Sequence, residues 1–374
     1  MPMPNPTRRW FMRPLALGAL FTLAQLVVAM ACAQQATLAG TWLRLNAWDS
    51  GHYLSIAQEG YHLSARPIRP ADVHELRSNV SHFPGLPLAT RAVMLTGLAA
   101  DPSQLVVAQG LALVFWVLFF GLLSRWGVPL QAQVLGGLAV FAHPAAYVLV
   151  AGYSESMYLA GLLGMLWFGE RGETNGGRGA GPLAGRDALL AGLSGLWMSA
   201  SRVVGLPLAI VPVLQRWGRE APGRRSTLRA WGWTWVTAGL TSLGTLGFFA
   251  YCQVKFGRWD LYRQLQELAW NNRPDWLVFF RLQSWLPHLG HEDLTTSVGK
   301  PSRALLFGFF FALVLRELRY TPTGLKRRSG MYLAALLPFI LAIGGTARSF
   351  IDSSVRYSMP SFAILMLCLL QSQA

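Results

Sequence analysis

The chain has 374 residues, 53% apolar and only 13% charged, with 32 Lys+Arg against 17 Asp+Glu and a net charge of +15. Soluble domains carry about one-quarter charged residues, so this share, gathered outside charge-free apolar blocks, excludes a disordered chain and an ordinary soluble enzyme. Cys32, Cys252 and Cys368 lie far apart and form no C-x-x-C pair, which argues against a disulfide framework and a structural zinc site. Composition alone points to a polytopic membrane protein.

The first apolar run covers 14–31, behind Arg8, Arg9 and Arg13. Its basic flank and Ala29-Met30-Ala31 look like a secretory signal with a cleavage site, and Cys32 invites a lipoprotein reading. The apolar remainder of the chain favours an uncleaved first span. Runs at 104–124, 131–149, 153–169 and 230–252 fall within the 17–25 residues that a crossing needs, and 303–315, 331–346 and 358–371 are shorter. The segment 84–100 is interrupted by Pro84, Pro87 and Arg91. The stretch 188–215 reads either as one long helix or as two short ones broken at Ser201-Arg202 and braced by Pro207. Gly and Arg dominate 170–187 without periodicity, which predicts a flexible connection. Trp259, Trp270, Trp276 and Trp285 in 253–300 predict short amphipathic helices at headgroup level. The expectation is a single all-α membrane domain over 1–374, with about nine to ten transmembrane helices and further helices in the extracytoplasmic loops.

Charge sets the orientation. Arg216, Arg219, Arg224, Arg225 and Arg229 crowd one short loop, and Arg316, Arg319, Lys326, Arg327 and Arg328 another, each with a single acid. Short basic loops beside apolar spans are cytoplasmic by the positive-inside rule, and this location of the charge speaks against nucleic acid as the partner. Loop 32–84 has four Arg and four acids and is placed outside. Laying 84–100 along the outer surface and splitting 188–215 at Arg202 brings loop 32–84, Tyr153-Ser154-Glu155-Ser156, Ser201-Arg202 and the loop 347–357 to that same side. Ionisable groups converging at one depth of an apolar chain suggest a site.

The run Trp48-Asp49-Ser50-Gly51-His52-Tyr53, with Ile56-Ala57 and Gly60-Tyr61 after it, sets a carboxylate between aromatic rings at a membrane surface. Such a group can accept a hydroxyl proton while the rings pack on sugar faces. The plainer alternative is an interfacial aromatic belt with Asp49 capping a helix. This run closely resembles the first extracytoplasmic loop of the GPI mannosyltransferase 2 (PIG-V type) family, whose pattern is roughly W-D-x-x-x-Y-x-x-I-A-x-x-G-Y. His82-Phe83-Pro84-Gly85-Leu86-Pro87 is similar to the family's F-F-P-L-x-P. His143-Pro144-Ala145 and Tyr153-Ser154-Glu155-Ser156 are similar to N-P-A and Y-[ST]-E-S. Ser201-Arg202-Val203-Val204-Gly205 is similar to [TS]-R-x-x-G, and Arg356-Tyr357 with Pro360 to R-Y-x-x-P. His82 stands in place of an aromatic residue, Gly85 in place of an apolar one and His143 in place of Asn. Abundant Ala, Gly, Arg and Trp suggest a bacterial relative.

The resemblance implies the GT-C glycosyltransferase fold and a polyprenyl-phosphate sugar donor, with Asp49 as catalytic base. In an inverting transfer one carboxylate takes the acceptor hydroxyl proton while a lipid phosphate leaves. A guanidinium suits the growing phosphate charge, and Arg356 and Arg202 are the candidates, although Arg356 could instead anchor a helix end and Arg202 pair structurally with Glu155. Trp48, His52, Tyr53, His82, Tyr153, Glu155 and Tyr357 are expected to bind substrate. Glu155 could equally cap a helix, and Tyr153 and Tyr357 could be interfacial anchors. His52, His62, His74 and His82 share the first outer loop, but no H-x-x-x-H spacing appears, so no metal and no cofactor are expected. The expected partners are the lipid-linked donor, a glycan or lipid-linked acceptor, and membrane lipids. A multi-pass transporter or lipid flippase is the alternative, although the paired halves common in transporters are missing, and a noncatalytic scaffold subunit is a third reading.

Overall fold

A computed structural model describes residues 6–63, 78–174, 182–220, 228–270, 272–281, 285, 294–345 and 354–373. His74, Arg224, Arg225, Arg348, Asp352 and residues 175–181 of the connection 170–187 therefore lie outside the described residues. Fourteen α-helices follow in order among the described residues, with no strand. They are α1 (Pro6–Ala33), α2 (Leu38–Leu43), α3 (Ser50–Glu59), α4 (Gly85–Met94), α5 (Ala100–Arg125), α6 (Leu130–Phe141) and α7 (Glu155–Thr174). Then come α8 (Pro182–Ser201), α9 (Val211–Arg219), α10 (Leu228–Phe256), α11 (Leu261–Trp270), α12 (Leu294–Tyr320), α13 (Pro322–Gly345) and α14 (Ser354–Gln371).

Among the described residues, Met12–Ala33, Ala100–Arg125 and Pro322–Gly345 are long and apolar enough to cross a membrane, and α6 and most of α14 are shorter apolar helices. The chain is a membrane protein. The helices pack as a chain of neighbours: α1 lies on α5, α5 on α7, α7 on α8, and α8 on α10, while α13 packs on α9 and α14. Close approach explains the small residues at these contacts, since lipid tails give apolar helices little reason to associate except good packing. A methyl added at Gly161 of α7 would stand 2.7 Å from the Ser194 carbonyl of α8. Gly85 acts likewise for α4. A Cβ there would come within 2.8 Å of the Ala200 carbonyl, so only glycine lets α4 seat against the end of α8. The centre is aromatic, with Phe115, Trp116, Phe119 and Phe120 fully buried on α5. Gln25 of α1 sits in this apolar surrounding with both ends used, donating to the Ala146 carbonyl and accepting from Trp116 Nε1.

Several boundaries differ from the sequence reading. The run 131–149 is broken, because α6 stops at Phe141 ahead of His143-Pro144, where proline disfavours helix in the residue before it. The short run 303–315 belongs to the 27-residue α12. Its basic sequel 316–328 is two helix ends meeting at Thr321, held by an ion pair between Arg328 and the buried Glu317. The segment 84–100 yields only the ten-residue α4, ending near Gly97 at φ 91°. Arg356 and Tyr357, read as the edge of a loop, stand in the first turn of α14.

Candidate active site

Four segments that are distant in sequence deliver the charged groups. Asp49 follows Trp48, whose φ of 58° is unusual for a bulky residue and turns the chain inward. Asp49 occupies the N-cap position of α3, yet its side chain makes no capping hydrogen bond. It accepts instead from Arg356 Nη1 at 2.5 Å, 307 residues away. Glu155 opens α7 and is fully buried. Its Oε1 accepts from Arg356 Nε at 2.5 Å and pairs with Arg202 Nη1 at 2.6 Å. Arg202 reaches this point because α8 ends at Ser201 and the chain continues through short 3-10 turns at Val203–Gly205 and Pro207–Ile210. The stretch 188–215 is thus broken at Arg202.

Aromatic rings back the guanidiniums. Arg356 Cζ lies 4.5 Å from the Tyr153 ring centroid and Arg202 Cζ 5.7 Å from that of Tyr357. Such contacts stabilise a cation that has left water. The first turn of α14 is fixed from behind by His143. Its Nδ1 accepts from the Ala145 N–H, so its Nε2 carries the proton and donates to Ser358 Oγ at 3.1 Å. Ser358 Oγ in turn donates to the Val355 carbonyl.

Burial alone would push the Asp49 carboxyl up, but the charge of Arg356 and its hydrogen bond outweigh it and hold the group at about 2. Burial pushes His82 down to about 3, with the Asp49 charge offsetting only part of the effect, so its ring is neutral at physiological pH. His52 stacks on His82 with ring centroids 4.4 Å apart, and Tyr53 meets His82 edge-on while its hydroxyl donates to Ser154 Oγ at 3.0 Å. His62, the third histidine of this region among the described residues, instead joins Asn79 at 3.2 Å.

A cavity of about 480 Å³ opens on this cluster. Asp49, Tyr53, His82, Arg202, Arg356 and Tyr357 line it. Glu155 lies behind the arginines, Tyr153 beneath Arg356, His52 behind His82, and Trp48 is turned out and 86% exposed. The cavity has two further walls of opposite character. One is apolar, built by Pro338, Leu341 and Ala342 of α13 and Pro360 of α14. The other comes from α11 and its flanks, with Trp259, Asp260, Arg263, Gln266 and Glu267. Sequence reasoning assigned this second wall only to a membrane-surface helix. The signal that marks it is the cluster of charges and amides between Trp259 and Trp270, richer than membrane contact requires. Gln266 Nε2 donates to the Ser81 carbonyl and ties this wall to the loop bearing His82.

No protein-family model matches the chain, and no curated protein does. Among solved structures, the archaeal oligosaccharyltransferase AglB from Archaeoglobus fulgidus, in complex with an inhibitory peptide and a dolichol-phosphate, aligns with a TM-score of 0.50 at 14% identity. The match covers 97% of this chain and 50% of that one. The chain has the GT-C fold. A second Archaeoglobus fulgidus oligosaccharyltransferase structure, tethered with an acceptor peptide, gives a TM-score of 0.49 at 13% identity over 96% of this chain and 49% of that one. This GT-C chain therefore spans about half the length of the structures it matches. A fold of this kind hosts a function only through its site, so the activity rests on the geometry above.

Proposed function

We propose that the protein is a membrane glycosyltransferase related to the GPI mannosyltransferase 2 type, crossing the membrane about nine to ten times with its site on the extracytoplasmic face. It moves a hexose, with mannose the leading candidate, from a polyprenyl-phosphate donor to a glycan or lipid-linked acceptor with inversion. The observation that carries this reading is the cavity. It joins two guanidiniums and a carboxylate at one end to an apolar wall and a polar wall.

Each part has a task. The prenyl chain lies along Pro338, Leu341, Ala342 and Pro360, and its phosphate faces Arg356 and Arg202. The sugar carbon between them is attacked by an acceptor hydroxyl whose proton passes to Asp49. The bond to the phosphate oxygen breaks as the new glycosidic bond forms, and the guanidiniums stabilise the charge left on the phosphate. The dolichol-phosphate in the Archaeoglobus fulgidus complex is a ligand of this same chemical kind.

The direct test is sugar transfer by the purified protein from a synthetic polyprenyl-phosphate mannose; a protein that binds this donor and never transfers its sugar overturns the reading. A second test is Arg356→Lys. A single ammonium cannot hold Glu155 and a second anion along two edges at once as the planar fork does, so turnover should fall at least roughly tenfold, about 1.4 kcal/mol. Full activity in the Lys variant would reduce Arg356 to a helix-end anchor.

Orientation has its own test. Gln58 and Thr323 are exposed at opposite ends of the reading, on α3 and at the start of α13. With Cys32 replaced by Ser, Gln58→Cys should react with a membrane-impermeant thiol reagent in intact cells and Thr323→Cys should not. The reverse pattern inverts the topology.

A further inference from the structure

We propose that the carboxylate of Asp49 sits in the seat of the donor phosphate, so that donor arrival and release of the catalytic base are one event. The inference rests on the reading of the site as a lipid-phosphate sugar transferase. Two arginines face two carboxylates here, a balanced set. A phosphodiester brought onto Arg356 with both carboxylates in place would crowd three anions around two cations in a poorly solvated pocket, where like charges disfavour one another. One anion has to yield.

The geometry selects which one. Glu155 is fully buried at the start of α7, and a single oxygen holds both guanidiniums. Asp49 is 28% exposed, lines the cavity, and meets Arg356 through Nη1 alone among the described residues. The peptide unit before it is held at Trp48 in the left-handed region, a strained conformation for a bulky residue that persists only under constraint. The Trp48 ring is almost fully exposed and gives no packing reason for that strain.

The consequences run in sequence. The lipid phosphate takes the Nη1 edge of Arg356, and Asp49 loses the cation that keeps it a weak base. It then accepts the acceptor's hydroxyl proton while the sugar carbon exchanges its phosphate oxygen for the acceptor oxygen. Once the lipid phosphate departs with the bonding electron pair, Asp49 gives its proton to water and returns to Arg356. Binding is ordered, donor before acceptor.

Titration calorimetry on the detergent-solubilised full chain tests this with farnesyl monophosphate as probe. Asp49→Asn removes the competing charge and keeps the side-chain shape, so the probe should bind at least roughly tenfold more tightly than to wild type. Asp49→Ser serves as a second variant with the same expectation, in case the amide still holds Arg356. Arg356→Gln should bind at least roughly tenfold more weakly. Unchanged binding in Arg356→Gln overturns the transferase reading of the cluster. Weak binding there, with no gain in either Asp49 variant, leaves that reading intact and overturns the exchange. Inorganic phosphate should bind far more weakly than the probe; equal affinity would show that the apolar wall holds no lipid and make the seat a free-phosphate site.

Discussion

Asp49→Asn should abolish sugar transfer, with turnover falling by roughly 10²–10⁴-fold, the usual loss when a general base is removed. The amide keeps the shape of the side chain and can still accept a hydrogen bond from Arg356, so the α3 turn and the cavity remain formed. What disappears is the capacity to take a proton from an attacking hydroxyl. The measurement is steady-state turnover with a polyprenyl-phosphate hexose, alongside a melting curve to show that the protein is folded. Activity within a few-fold of wild type removes Asp49 from the base role. The combination expected here is lost turnover with strengthened lipid-phosphate binding. A residue needed merely for folding would weaken both.

Glu155→Gln should damage the protein itself. Glu155 is fully buried and holds Arg202 and Arg356 through one oxygen. With the charge gone, two guanidiniums share a poorly solvated space with only Asp49 to balance them. Breaking a buried pair by removing one partner costs about 3–5 kcal/mol, because a desolvated charge is left without compensation. A large drop in thermal stability in detergent should follow, together with loss of activity. The double variant Glu155→Gln, Arg202→Gln restores the balance of one cation to one anion and should recover much of the stability, though not the activity. Residues in direct contact are expected to deviate from additivity in this way. A Glu155→Gln protein that melts like wild type would mean the cluster is not held by its charge.

How much of this was legible before the fold was known follows from the range of the interactions. Helix content and membrane character are local properties of apolar runs, and they were readable. So was the oddity of Asp49, Glu155, Arg202 and Arg356, since each is an ionisable group beside apolar sequence. Their partnership was not readable, because it depends on α3, α7, the end of α8 and α14 meeting at one point, and no local pattern encodes a contact across 307 residues. Trp48 shows the converse, a position that sequence names but geometry decides. A tryptophan beside the candidate base looked like a substrate contact, but the backbone geometry that aims Asp49 inward turns the ring outward. The break at His143-Pro144 was missed because apolar composition outweighed punctuation by a single residue, and the loop read at 316–328 shrinks to a turn at Thr321 because both flanking helices extend into it. The α11 wall was found as a helix and not as part of the site. Its polar residues face a cavity whose other walls come from elsewhere in the chain.

The two prolines in the apolar wall have a mechanical consequence. Pro338 lies inside α13 and Pro360 inside α14, and both border the cavity. Proline brings no N–H to the helical ladder, so the carbonyls four residues earlier, those of Ala334 and Arg356, have no helical donor to release when the helix bends. Both helices therefore lack one rung of the ladder where they border the cavity. The first turn of α14, with Arg356, stands on the N-terminal side of Pro360, so the hydrogen bonds of His143 and Glu155 and not the helical ladder alone hold it in place. On the proposed reading, a prenyl chain meets these two helices where a bend would cost no backbone hydrogen bond.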